Sequence, residues 1–181
     1  MIYKPREDSF LLEKVVRQES KGLKVLDVGC GSGIQTEAAL DGGAKSVLGI
    51  DIDSESILFC RKRGLDVVES DLFSNVKGKF DLIVFNPPYL PEDEREDKES
   101  GKITSGGKKG DEIIVRFLSK VEEHLADDGK ILLVVSSLTP RGEIEATIEN
   151  KKMEKEIVTS MNLFMEKIEV WKISKNHLRE G

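Results

Sequence analysis

Short apolar runs alternate along this chain with longer stretches whose apolar residues recur at helical spacing, and a glycine or a carboxylate stands at most of the junctions. The short runs read as strands and the longer stretches as helices. Phe10-Leu11-Leu12 with Val15-Val16 predicts a first helix, capped by Asp8 or Ser9 and ended by Gly22, so that residues 1–22 form a helical lead-in. The helix dipole alone would favour Glu7 and Asp8 at such a start. Lys24 to Val28 predicts a strand running into Gly29-Cys30-Gly31-Ser32-Gly33, and Ile34 to Leu40 a helix after it. Ser46 to Ile50 predicts a second strand ending at Asp51, and Asp53 is the expected N-cap of a helix carrying Ile57, Leu58 and Cys60. Leu65 to Val68 gives a third strand, and Phe80 to Phe85 a fourth that delivers Asn86-Pro87-Pro88-Tyr89 to its carboxyl end.

Residues 91–110 are charged or glycine-rich with little to bury, which is long for a connection inside a compact domain. They predict a mobile loop, either a solvated surface segment or a lid over substrate. Asp111 then caps a helix whose stripe is Ile113, Ile114, Phe117, Leu118, Val121 and Leu125. Gly129 separates it from a fifth strand, Lys130 to Val135, and a helix from about Arg141 to Glu149 follows. In the tail, Lys152 to Val158 and Phe164 to Ser174 alternate apolar and polar residues. That alternation predicts two strands joined by a short polar connection into an antiparallel edge hairpin, with Trp171 as packing.

Strand, glycine turn and helix repeated in this way imply an α/β fold, a doubly wound and mostly parallel seven-stranded sheet closed by the antiparallel hairpin. All 181 residues fit one domain, 1–181. Right-handed crossovers bring the carboxyl ends of the first four strands to one rim, so Asp27 to Gly33, Asp51, Asp71 and Asn86 share a pocket.

The residues on that rim suggest their own chemistry. Glycines between a strand and a helix let the backbone turn sharply and approach a ligand, while the helix offers free N–H groups. Asp51 lies about 20 residues beyond that loop, the spacing at which an acid meets ribose hydroxyls. A dinucleotide fingerprint would place a third glycine at position 34, where this chain has Ile34, and Asp27 would repel a pyrophosphate. An adenosine compound with a cationic group fits better. Asp71 is placed to accept from an exocyclic amino group such as that of adenine, with Leu72 supplying apolar surface. Asn86 offers a side-chain acceptor, the two prolines a stiff turn lined with carbonyls, and Tyr89 a flat face, a set suited to a planar substrate bearing an NH₂ group.

A net charge of −6 gives no basic field to hold a polyanion, so direct nucleic-acid binding is not expected, and Lys102, Lys108 and Lys109 read as a solvated loop. Cys30 and Cys60 form neither a CxxC nor a His/Cys cluster, so no metal site or disulfide is implied and both read as buried thiols in a reducing compartment. His124 and His177 are expected at the surface, away from the rim. No run approaches membrane-spanning length and the N-terminus is charged, so the expected location is cytoplasmic.

Together these motifs resemble the class I, Rossmann-like S-adenosylmethionine-dependent methyltransferases over nearly the whole chain. Asp27-Val28-Gly29-Cys30-Gly31-Ser32-Gly33 is similar to their first motif and Asp51 to their ribose-binding acid, while the Asn86-Pro87-Pro88-Tyr89 motif (NPPY) narrows the resemblance to enzymes that methylate planar amino or amide nitrogens. Tyr3-x-Pro5-x-Glu7-Asp8-Ser9-Phe10-Leu11-Leu12, that tetrapeptide, and Ser105-Gly106-Gly107 before a helix are together similar to the short HemK-like family of archaea and eukaryotes. The resemblance implies methylation of a protein at the glutamine side-chain N5, in the Gly-Gly-Gln motif of a class-1 translation termination (release) factor. It implies S-adenosylmethionine contacts at Asp8, Ser9, Asp27, Gly29, Gly31, Gly33, Asp51, Ile52, Asp71, Leu72 and Asn86, and catalytic roles for Asn86, Pro87 and Tyr89. It also implies a small zinc-binding activator subunit along the third-strand edge, Asp66 to Glu69. The acidic run Glu92 to Glu99 departs from the family pattern and leaves recognition around the target open.

In that chemistry the Asn86 side-chain oxygen and the Pro87 carbonyl accept both N–H bonds of the acceptor amide, stabilising charge that grows on nitrogen during transfer. Other readings are a nucleobase amino-group methyltransferase, a non-catalytic cofactor-binding scaffold, and a nicotinamide oxidoreductase that Ile34 and Asp27 argue against.

Overall fold

The computed structural model describes residues 4–88 and 110–179. Its strands are β1 (Lys24–Val28), β2 (Ser46–Asp51), β3 (Val67–Glu69), β4 (Phe80–Phe85), β5 (Leu125–Ser136), β6 (Met153–Leu163) and β7 (Glu166–Lys175). Its helices are α1 (Glu7–Glu19), α2 (Ile34–Asp41), α3 (Ser54–Lys62), α4 (Glu112–Val121) and α5 (Gly142–Asn150). Tyr89, the acidic run Glu92 to Glu99 and, apart from Gly110, the expected mobile loop lie outside the described residues.

The strands form one sheet in the order β3-β2-β1-β4-β5-β7-β6. β3 through β5 are parallel, whereas β7 and β6 run antiparallel to their neighbours, as the strand patterns predict. Alternate strand residues face opposite layers. Val25, Leu82, Val84, Leu132, Val134 and Val170 pack with Leu11, Leu12, Val15 and Val16 of α1 and Ala38 and Ala39 of α2. Leu26, Ile83, Phe85, Leu133 and Trp171 pack on the other face with Ile114, Phe117 and Leu118 of α4 and with Ile144 and Ile148 of α5. Central strands covered on both faces read as continuous apolar runs, which is why they are conspicuous in the sequence.

Several boundaries differ from expectation, each for a local reason. α1 starts one residue before Asp8, with Arg6 as N-cap, and the Arg6 backbone N–H donates to Ser9 Oγ at 3.4 Å. Asp8 and Ser9 are therefore buried inside the first turn and do not act as solvent-facing caps. The same helix stops at Ser20, whose Oγ donates to the Val16 carbonyl at 2.5 Å, and Gly22 lies in the turn beyond it. β3 is shorter at its start than expected because Leu65 N–H still donates to Cys60 O, at 3.1 Å, closing the end of α3.

β5 begins at Leu125 and includes Gly129. The ladder to β4 jumps from Phe80↔Leu125 to Leu82↔Lys130, a bulge in which a Cβ on Gly129 would lie 2.9 Å from the Ala126 carbonyl oxygen. β6 continues to Leu163, so the expected polar connection is strand, and the turn is Phe164-Met165. His124 is half-buried, not exposed, and stacks on Phe73 with ring centroids 4.7 Å apart. No helix among the described residues is long and apolar enough to cross a membrane.

Trp171 is fully buried, donates Nε1–H to Glu169 Oε2 at 2.8 Å, and lies under the Lys155 ammonium, 3.6 Å from the ring centroid. Trp171→Ala removes the largest buried side chain and leaves the Glu169 carboxylate without that donor. The expected loss is about 3–5 kcal/mol, read as a lower urea midpoint at unchanged slope.

Candidate active site

The carboxyl ends of β1, β2, β3 and β4 meet on one rim because these strands are adjacent and parallel. Directly beyond β1, Gly29, Gly31 and Gly33 have φ of +68, +49 and +84°, conformations that side chains oppose. At Gly33, the N-cap of α2, a Cβ would also sit 2.7 Å from Leu65 Cδ1 and 3.1 Å from Cys60 Sγ. The loop thus folds tightly over α3, with Cys30 of the loop and Cys60 of α3 both buried, as expected.

Asp51 closes the loop from the end of β2. Its Oδ2 accepts from Gly31 N–H at 2.8 Å and its Oδ1 from Asp53 N–H at 2.9 Å, while Cys60 Sγ donates to the Gly31 carbonyl at 3.4 Å. Burial raises the Asp51 pKa against these donors. Ile52, next in the chain, is 68 % exposed and leaves an apolar surface at the rim. Asp53 is the N-cap of α3, its Oδ2 accepting from Ser56 N–H at 3.0 Å.

Asp71 follows β3, but its carboxylate is ion-paired with Arg116 of α4, so an incoming amino group would meet an acid that already has a cationic partner. Leu72 takes φ of +47°, an unfavourable conformation for a side chain, and its carbonyl accepts from Ser70 Oγ at 2.7 Å.

Beyond β4, Asn86 Nδ2 donates to Asp8 Oδ2 at 3.1 Å, whereas Asn86 Oδ1 is buried without a hydrogen-bond partner among the described residues. Pro87 is buried behind it. Ser9 Oγ lies 3.5 Å from Asp8 Oδ1, and the Ser9 carbonyl accepts from Gln35 Nε2 at 2.9 Å. The first turn of α1 is thereby tied both to the acceptor turn and to the helix that follows the glycine loop. Gln35 was not anticipated from the sequence; its Oε1 is likewise buried without a partner among the described residues. The signal available was two adjacent uncharged polar residues, Gln35 and Thr36, in the helical turn that directly follows the glycine loop.

The arrangement therefore brings together Asp8, Ser9, Asp27, the three glycines, Asp51, Ile52 and Asn86, with Asp71 and Leu72 entering from β3. Its donor and acceptor set fits an adenosine cofactor carrying a cation: buried acids and acceptors dominate, and the open apolar seat is at Ile52. An unsatisfied buried acceptor such as Asn86 Oδ1 costs stability unless a ligand donor reaches it.

Comparison with known proteins agrees with this geometry. The family described as the methyltransferase small domain matches residues 7–165. A Methanocaldococcus jannaschii protein, provisionally named a protein N5-glutamine methyltransferase, is 39% identical over 150 residues, covering 78% of this chain and 76% of its own. Human methyltransferase HEMK2 is 30% identical over 196 residues, covering 97% and 90%. A chain of the solved E. cuniculi Mtq2–Trm112 complex, described as responsible for methylation of the translation termination factor eRF1, superposes with a TM-score of 0.79 at 27% identity, covering 97% of this chain and 99% of that one.

Asp27 gives the rim a pH dependence. It is almost wholly buried, and burial pushes its pKa up to about 7, against a 2.7 Å hydrogen bond from Thr36 Oγ1 and with the Asp51 charge adding to the rise. The folded chain then binds more protons than the unfolded one between the ordinary carboxylate range and about pH 7. The stability that this group contributes is full in acid, lost as pH rises towards about 7, and constant above it. Asp27→Asn, neutral at every pH, is expected to raise the Tm of the free protein at pH 8 and to leave it near wild type at pH 4, as read by calorimetric melting.

Proposed function

Since this chain belongs to the methyltransferase small-domain family and is an S-adenosylmethionine-dependent methyltransferase, we propose that its acceptor is the glutamine side-chain amide of the Gly-Gly-Gln motif of a class-1 translation termination factor. The observation that carries the reading is the buried Asn86 Oδ1, without a partner among the described residues, beside the Pro87-Pro88 turn. S-adenosylmethionine supplies an electrophilic methyl on a sulfonium; the rest of the chemistry is positioning.

An amide nitrogen is a poor nucleophile because its lone pair is delocalised into the carbonyl. Asn86 Oδ1 and the Pro87 carbonyl accept its two N–H bonds, and these acceptors gain most as positive charge develops on nitrogen. Fixing the amide in line supplies part of the barrier reduction, with roughly 7–11 kcal/mol as the ceiling for such positioning. Asp8 sets the direction of the Asn86 amide. The Asp8 carboxylate oxygen accepts from the Asn86 NH₂, which leaves the Asn86 oxygen for the methyl acceptor. Asp8 and Ser9 thus serve the acceptor turn as well as the cofactor side, where Asp27, Gly29, Gly31, Gly33, Asp51, Ile52, Asp71 and Leu72 complete the binding rim. Tyr89 packs on the acceptor plane in this reading, and action on a translation factor assigns the chain to the cytoplasm.

A small zinc-binding activator docks along β3, at Asp66 to Glu69, as an added strand. Support comes from the position of β3 at the sheet edge and from the Trm112 partner in the E. cuniculi complex. Arg61 and Asn75 side chains donate to the Val67 and Glu69 carbonyls, at 3.3 and 2.9 Å, and would yield those acceptors to the partner.

Asn86→Ala is expected to abolish turnover while cofactor affinity measured by calorimetry stays within a few-fold of wild type. Asp8→Asn, able to donate or accept, frees the Asn86 amide to flip; kcat should fall at least about tenfold with a smaller change in KM. The reaction itself is tested by radiolabelled methyl transfer, with and without the activator, to the termination factor, its Gln→Ala variant and total RNA. Label that disappears with the glutamine supports the proposal, and label on RNA replaces it with nucleobase methylation.

A further inference from the structure

Among the described residues, three large apolar side chains are more than four-fifths exposed: Leu178 at 95%, Phe164 at 92% and Met165 at 81%. Phe164 and Met165 are the whole turn between β6 and β7, and Met165 takes φ of +58°. Two-residue hairpin turns favour Asn-Gly or Asp-Gly, because those residues adopt positive φ at little cost. Phe-Met neither eases this turn nor buries its own apolar surface, so folding alone does not account for the pair. The base of the turn is held firmly: Ser136 Oγ donates to Glu166 Oε1 at 2.6 Å, Ser137 N–H to the Lys167 carbonyl at 2.8 Å, and Lys167 N–H to Ser137 Oγ at 2.9 Å. Leu138, the residue after Ser137, is exposed as well.

The sheet register places this tip on the acceptor rim. Phe85 pairs with Leu133 and Leu133 with Trp171, so those residues are level across β4, β5 and β7. β7 starts beyond that level, on the side where β4 delivers Asn86, and Met165 stands six residues beyond Trp171. At about 3.3 Å per residue the tip rises roughly 20 Å above the end of β4, and two strand spacings put it about 10 Å to the side.

We propose that Phe164 and Met165 are a docking element for the body of the folded protein that carries the acceptor glutamine, an inference that rests on the glutamine reading above. A glutamine on a projecting loop reaches Asn86 only if the domain behind it settles on what stands above the rim. The tip projects from the same end of the sheet at which β4 delivers Asn86 and offers apolar, firmly based side chains at the height such a domain would occupy. A small acceptor or an isolated base would have no use for it.

The test measures methyl-transfer kinetics on the intact termination factor, in the presence of the activator, for the wild-type chain, the Phe164→Ser/Met165→Ser double variant and Leu178→Ser, which is equally exposed beyond the other end of β7. The expected result is a KM at least about tenfold higher for the double variant, unchanged kcat at saturation, unchanged calorimetric cofactor affinity, and wild-type kinetics for Leu178→Ser. An unchanged KM overturns the docking role, as does a fall in kcat or cofactor affinity that accounts for the loss. Loss of a wild-type dimer in sedimentation would assign the tip to a second copy and also overturns it. Failure of the wild-type chain to label the factor's glutamine refutes the glutamine reading and this inference with it, whereas wild-type labelling with an unaffected variant refutes the tip alone.

Discussion

The site depends first on the register of β1 against β4. Val28 pairs with Phe85, so the first residues off the two strands, Gly29 and Asn86, leave the sheet side by side. Strands in a sheet stand about 4.8 Å apart, which brings the glycine loop and the acceptor turn within the span of one small group. A slip of one residue would exchange the faces of every side chain on one strand. Both faces of these strands are packed, with Leu26 and Phe85 towards α4 and Val25 and Val84 towards α1 and α2, so the core on each side enforces the register.

Buried acids on that rim are a cost the fold accepts. Asp8 and Asp27 are buried and Asp51 is half-buried, and burial raises the pKa of both Asp27 and Asp51. Fixed donors offset the cost in part: Thr36 for Asp27, the Gly31 and Asp53 amides for Asp51, and the Asn86 amide for Asp8. What remains is a rim biased towards a cation and a hydroxyl-bearing ligand, with the side-chain oxygens of Asn86 and Gln35 without partners among the described residues. Such a surplus of acceptors is poor design for stability and suitable design for binding donors.

Partial burial of the edges follows the same division of labour. β3 exposes the sheet on one side but covers its outward carbonyls with Arg61 and Asn75, while β6 closes the other side as the outer arm of a long hairpin. The β3 edge is thereby shielded against indiscriminate strand pairing, and among the described residues the most exposed large apolar side chains, Phe164, Met165 and Leu178, lie outside the strands.

The sequence by itself determined the order and type of the elements, because buried parallel strands are continuous apolar runs and the turns beyond them carry glycine, aspartate or proline for conformational reasons. It also determined which residues stand at the strand ends, and hence the rim of Asp27, Asp51 and Asn86. Tertiary structure decided what periodicity does not encode. Asp8 and Ser9 look like caps, yet are buried because the first turn of α1 meets Asn86 just beyond β4 and Gln35 of α2; Asp71 looks open, yet meets Arg116 from a helix more than forty residues on. The role of Gln35, the contact of Cys60 with the Gly31 carbonyl and the height of the Phe164-Met165 tip were hidden for the same reason. Their positions are set by contacts between segments distant in the chain, and local patterns of apolar and polar residues report only the face a side chain takes, not the partner it finds there.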